Sequence, residues 1–209
     1  MPKKEVPIDH LQNYLPPETG AAVTSYLQQY KVHLTIAKER KSILGDYRHR
    51  TQQSNHRISV NGNLNQFSFL ITLLHELAHL LTYEQHSNKV SAHGKEWKTI
   101  YGQLLKQFLD HKIFPADIEN ELLLSLKNPA ASSCAETGLL RVLRKYDQAN
   151  DHHYLIEEML PGTLFRIKDG RVFQKGEKLR KRFKCKEVST GKLYLFSPVY
   201  EAEKMSQKS

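Results

Sequence analysis

Between Ala22 and Tyr30 the apolar positions fall at Ala22, Val23, Tyr26, Leu27 and Tyr30. This three-to-four-residue spacing marks one face of a helix and predicts one beginning near Pro17. The period then shortens. Residues 32–37 (VHLTIA), 43–50 (ILGDYRHR) and 56–62 (HRISVNG) read as short strands of a small antiparallel sheet, and Asn61-Gly62 ends the last of them. A long helix is predicted from about residue 63 to residue 85. A second runs from about 93 to 111, with Trp97, Ile100, Leu104, Leu105 and Phe108 as its apolar stripe. A shorter one follows over PADIENELLLSLKN.

The segment 128–138 (NPAASSCAETG) is rich in small residues and breaks this pattern, so it reads as a linker. Beyond it, Asp169-Gly170, Lys175-Gly176 and Thr190-Gly191 punctuate four runs, TLFRI, RVFQ, RKRFKCKEV and KLYLFSP, which predict short strands. The expected organisation is α+β. Helices pack on a small antiparallel sheet in residues 1–127, the linker follows at 128–138, a small basic β-rich module spans 139–200, and residues 201–209 form a flexible tail.

Composition adds a compartment and a partner. With 39% hydrophobic and 25% charged residues the chain has material for a core. Its first ten residues hold no apolar segment of the secretory kind, and the most apolar stretch, Phe67 to Leu81, is cut by His75 and Glu76 and is too short to span a membrane. Only Cys134 and Cys185 are present, so the expectation is a cytoplasmic protein with no membrane partner. The net charge is +9, and residues 161–186 hold ten Lys/Arg against Asp169 and Glu177. A smaller basic cluster lies between Lys38 and Arg50. Such asymmetry points to an acidic partner, most simply nucleic acid. Strand alternation in LRKRFKCKEV would put Arg180, Arg182, Lys184 and Lys186 on one face, suited to phosphates, with Leu179, Phe183 and Cys185 on the other. Phe165, Phe173, Tyr194 and Phe196 are expected mostly in the module's core.

The long helix carries the chemistry. His75 and His79 in HELAH stand at i and i+4, so both imidazoles can converge on one ion at Zn–N of about 2.0–2.1 Å. Glu76 sits beside that ion, placed to take a proton from metal-bound water and return it to a leaving amine. Two histidines compete as third ligand. His86 lies on the same helical face but about 10 Å further along the axis. His93 follows a polar turn that can fold the next helix back towards the first, and it is the preferred ligand. Tyr83 and Tyr101 are candidates for stabilising an oxyanion.

HELAHLLTYEQHSNKVSAHGKEWK, preceded by KERKSILGDYRHR and HRISVNGNL, resembles the SprT-like zinc metalloprotease family over roughly residues 10 to 127. The resemblance implies a zincin-like fold, one zinc held by His75, His79 and His93, and Glu76 as general base. It implies a polypeptide substrate as well, expected to lie along the strand around Ile58. Eukaryotic members include a DNA-dependent protease acting on proteins crosslinked to DNA. Many members add a four-cysteine zinc ribbon. Two cysteines cannot build one, so a second zinc is not expected. The alternative is a non-catalytic nucleic-acid-binding protein with a structural zincin domain, in which Glu76 would have no use.

Overall fold

The computed structural model describes residues 8–40, 42–126, 129–148 and 153–205, divided into two units between Asp147 and Gln148. In the first, a short helix α1 (Ile8–Leu11) and α2 (Gly20–Gln29) precede β1 (His33–Ala37), β2 (Gly45–Arg48) and β3 (Arg57–Asn61). Four helices follow: α3 (Gln66–His86), α4 (Lys95–Asp110), α5 (Ala116–Ser125) and α6 (Thr137–Arg144).

The centre of this unit is α3. Asn65 caps it, its side-chain oxygen accepting the Ser68 N–H at 2.9 Å. Every side chain from Phe67 to Ala78 is buried, as expected of a helix apolar on nearly all sides. The three-stranded sheet covers one side, and the predicted stripe of α4, with Trp97 and Leu105 fully buried, covers another.

The sheet is not purely antiparallel. Its order is β1-β3-β2, with β2 antiparallel to β3 but β1 parallel to it. After β1 the chain crosses to the far edge, and β3 returns between the two. Arg40 holds the crossover, donating to Asn61 Oδ1 at 2.7 Å, Ser59 Oγ at 3.0 Å and the Leu44 carbonyl at 3.3 Å. Alternation tells which way a side chain faces, not which strand lies beside it.

The expected linker belongs largely to the first unit. Cys134 is buried, and Leu139 and Leu143 of α6 join the core around α3. Asn65 Nδ2 donates to the Leu143 carbonyl at 3.0 Å, and the Tyr146 hydroxyl to Asp117 at 2.9 Å. The boundary therefore lies at Asp147, not at 128–138. Residues 127 and 128 lie outside the described residues.

The second unit is a six-stranded antiparallel sheet in the order β4-β9-β5-β6-β7-β8. Its strands are β4 (His153–Leu155), β5 (Leu164–Arg166), β6 (Val172–Leu179), β7 (Arg182–Glu187), β8 (Leu193–Phe196) and β9 (Glu201–Lys204). Ile156, Phe165, Phe173, Cys185 and Phe196 form its core. The four predicted runs are β5 to β8. The expected tail is corrected in part: β9 is a strand within the sheet, between β4 and β5, with Ala202 buried, while 206–209 lie outside the described residues. Among the described residues no helix is long and apolar enough to cross a membrane.

Candidate metal centre

One turn of α3 places His75 and His79 on the side facing the start of α4, and the turn after α3 brings His93 to them. Ser87 makes this possible by adopting φ of 52°, which ends the helix and redirects the chain. One ligating nitrogen from each of His75, His79 and His93 lies within 4.8 Å of the others. His93 Nε2 stands 3.4 Å from His75 Nε2. Two ligands of a tetrahedral zinc at 2.0–2.1 Å are about 3.3 Å apart, so this donor set fits such an ion. Trp97, one turn into α4, packs its ring against all three imidazoles at centroid distances of 4.7, 5.3 and 4.8 Å. His86 is not part of the cluster.

Burial disfavours the protonated form of all three imidazoles. Burial, then the neighbouring His79 and His93, pushes the His75 imidazole down to about 3. Burial and His93 push His79 down to about 4. His93 is lowered too, by burial and by Lys98. The Glu76 carboxyl moves the other way, up to about 8, through burial and the nearby Asp46, with Arg40 opposing. An apolar site that raises a carboxyl and strips imidazoles of protons is one a cation would stabilise.

A cleft of about 590 Å³ opens over this group. Leu44 to Tyr47 form one wall, and Val90 to His93 another. Ala131 to Ser133, part of the expected linker, complete the lining. β2 approaches Glu76 closely: a Cβ on Gly45 would stand 2.5 Å from Glu76 Oε1 and 2.8 Å from Thr72 Cγ2. The strand of Ile58 is β3, flanked by β1 and β2, so neither of its edges can take a further strand. Among the described residues the free edge beside the cleft is that of β2.

Two contributors escape sequence reasoning. Tyr47 of β2 stacks parallel to the His79 ring, with centroids 6.4 Å apart, and its hydroxyl lies 2.9 Å from Nδ1 of buried His56. The Arg50 N–H also donates to that Nδ1, at 3.3 Å. Nδ1 is therefore the acceptor and the Tyr47 hydroxyl the donor, leaving the His56 Nε2 proton facing Glu84 at 3.3 Å. Nothing in HRISVNG distinguishes His56 from an ordinary strand residue. Of the two tyrosines proposed for an oxyanion, Tyr83 lines the cleft, stacked on His49 at 4.7 Å. Tyr101 is buried against Trp97, its phenol raised by that burial.

In the second unit, Arg182 and Lys186 of β7 are exposed and Lys184 is half-buried, 3.7 Å from Glu177, while Phe183 and Cys185 face the core. Arg180 is not on that strand. It sits in the turn between β6 and β7 with φ of 44°, so the expected row of four is three strand residues and one turn residue.

Residues 19–119 match the family model of the SprT-like family, so this stretch is similar to a SprT-like domain. The match contains β1 to β3, α3, α4 and all three histidines. No curated protein and no solved structure matches the chain.

Proposed function

From this similarity to a SprT-like domain we propose a zinc-dependent peptidase of zincin type that cleaves unfolded or extended polypeptides. The observation that carries it is the convergence of three imidazoles, each shifted by burial away from the protonated form, beside a buried carboxyl, in a cleft bordered by a free strand edge. His75, His79 and His93 would hold the zinc, which when bound supplies Lewis acidity towards water and the scissile carbonyl. Substrate backbone pairs with the edge of β2, which presents the peptide to Glu76 across Gly45. Glu76 accepts the proton of the attacking water and delivers it to the departing amine nitrogen. The non-catalytic alternative leaves that carboxyl without a task at a buried position. The test is digestion of an unfolded polypeptide: cleavage should stop with a chelator and return with zinc. Cleavage that ignores the chelator refutes the reading.

Gly45 gives a second check. Its methyl homologue would collide with the Glu76 carboxyl, and a displacement of about 1 Å at a reacting group can cost about a hundredfold. Gly45→Ala should therefore lower kcat by up to about that factor while zinc content stays at the wild-type level. Wild-type kcat would show that Glu76 moves aside without cost.

DNA is proposed as a partner of the second unit, supported by nine exposed or half-buried basic residues of 161–186, the tenth, Lys175, being buried against the Met159 carbonyl. Four engaged cations (Arg180, Arg182, Lys184, Lys186) would give a log–log salt slope of about −3 to −4 on duplex DNA. Reversing their charge should weaken binding across sequences alike, because phosphates carry no base information. Equal slopes for the wild type and the reversal variant would place binding elsewhere.

A further inference from the structure

The face of the three-stranded sheet turned away from α3 is polar, and its charges are in register. His33 of β1 pairs with Arg57 of β3, and Arg57 with Arg48 of β2, so the three stand side by side in one row across the sheet. The next outward row is Thr35, Ser59 and Asp46. A shallow concavity of about 520 Å³ lies over these rows. Asp46 takes one Arg48 donor at 3.0 Å, and Arg57 forms no ion pair among the described residues. Like charges directly across neighbouring strands repel, so Arg57 beside Arg48 leaves this row with an excess of positive charge over Asp46. It ends at the free edge of β2.

A substrate paired with that edge extends the sheet by one strand. Its side chains then alternate, one set entering the cleft with Gly45 and Tyr47, the other joining the outward rows of Asp46 and Arg48. The substrate residue beside Arg48 becomes the fourth member of the row. Gly45 abuts Glu76, and Arg48 is three residues further along β2, about 10 Å at strand rise. Resting on the reading that this edge receives substrate, we infer that Arg48, with Arg57 beside it, selects substrates carrying an aspartate or glutamate about three residues from the scissile bond, on one side of it.

Peptides with one cleavage site and otherwise neutral residues, carrying Glu, Ala or Lys at each of the four positions on either side, test this with the zinc-loaded full chain. Each like or opposite cross-strand pair changes binding by up to about fivefold. The Glu:Lys ratio of kcat/KM should therefore reach about ten at one position and stay near one at its neighbours. Arg48→Gln should bring that ratio to one or below, and Arg48→Glu with Arg57→Glu should invert it. These ratios are insensitive to any uniform loss in the variants. Anisotropy binding of the same peptides to Glu76→Gln reads selection without turnover. If the wild type cleaves nothing but this binding keeps the Glu preference, the peptidase reading fails and the row's role stands. A flat scan, or a preference that survives Arg48→Gln, overturns the inference. So does a preference for Glu spread over consecutive positions. Competition by a short oligonucleotide that Arg57→Gln abolishes would make the row a phosphate site and overturn it as well.

Discussion

Glu76→Gln is expected to lower kcat for peptide cleavage by about two to four orders of magnitude, the range general acid–base groups supply, with zinc content unchanged. The amide fills the same space on α3 but cannot take a proton from water or hand one to the amine. The carboxyl is buried and pressed against Gly45, so the two proteins should share one fold, checked by circular dichroism and metal analysis. The metal-free pair also separates by pH. Glu76 is raised from an ordinary value near 4.5 to about 8. Between those values the folded wild type holds a proton that the unfolded chain has released, so its stability falls as pH rises from about 4.5 to 8. The Gln variant lacks that loss. Undiminished cleavage by Glu76→Gln would remove the proposed mechanism.

The three-histidine cluster was legible in the sequence because its information is local. The i, i+4 spacing of His75 and His79 fixes their common face, and the turn after α3 brings His93 back. What surrounds it was not local. Alternation in VHLTIA and HRISVNG gave facing but not pairing, so a parallel β1–β3 contact, stitched by Arg40, could not be read. Small residues in NPAASSCAETG look like a tether. Here they let the chain lie close to α3, with Cys134 buried and Ala131 to Ser133 lining the cleft. β9, EAEK, buries only Ala202, too little apolar content to signal a strand. Arg180 turns the hairpin at positive φ without glycine, so nothing marked it as leaving the strand. Tyr47 and His56 meet only because β2 and β3 form a hairpin.

His75→Ala, His79→Ala and His93→Ala should each weaken zinc binding more than the 10- to 100-fold typical of losing an outer partner of a ligand, whereas His86→Ala should not. The wild type should hold one zinc per chain. At a thousandfold excess over Kd, zinc adds about 4 kcal/mol to stability. A hundredfold weaker site forfeits about 2.7 kcal/mol of that, at 1.4 kcal/mol per tenfold. Thermal unfolding with and without zinc should therefore show a large metal-dependent shift in the wild type and His86→Ala, and a much smaller one in the ligand variants. Protons provide the independent check. In the metal-free protein His75 and His79 stay neutral down to about 3 and 4, while in the unfolded chain they titrate near 6.5. Below 6.5 the unfolded state binds more protons. The stability their burial leaves intact above that pH is therefore lost progressively as pH falls towards 4, whereas the folded site, whose His75 and His79 protonate only at about 3 and 4, should keep its zinc until the chain unfolds or the pH falls to about 4. The ligand substitutions should each flatten this acid limb. Loss of zinc from His86→Ala with retention by His93→Ala would reverse the assignment of the third ligand and detach the start of α4 from the site.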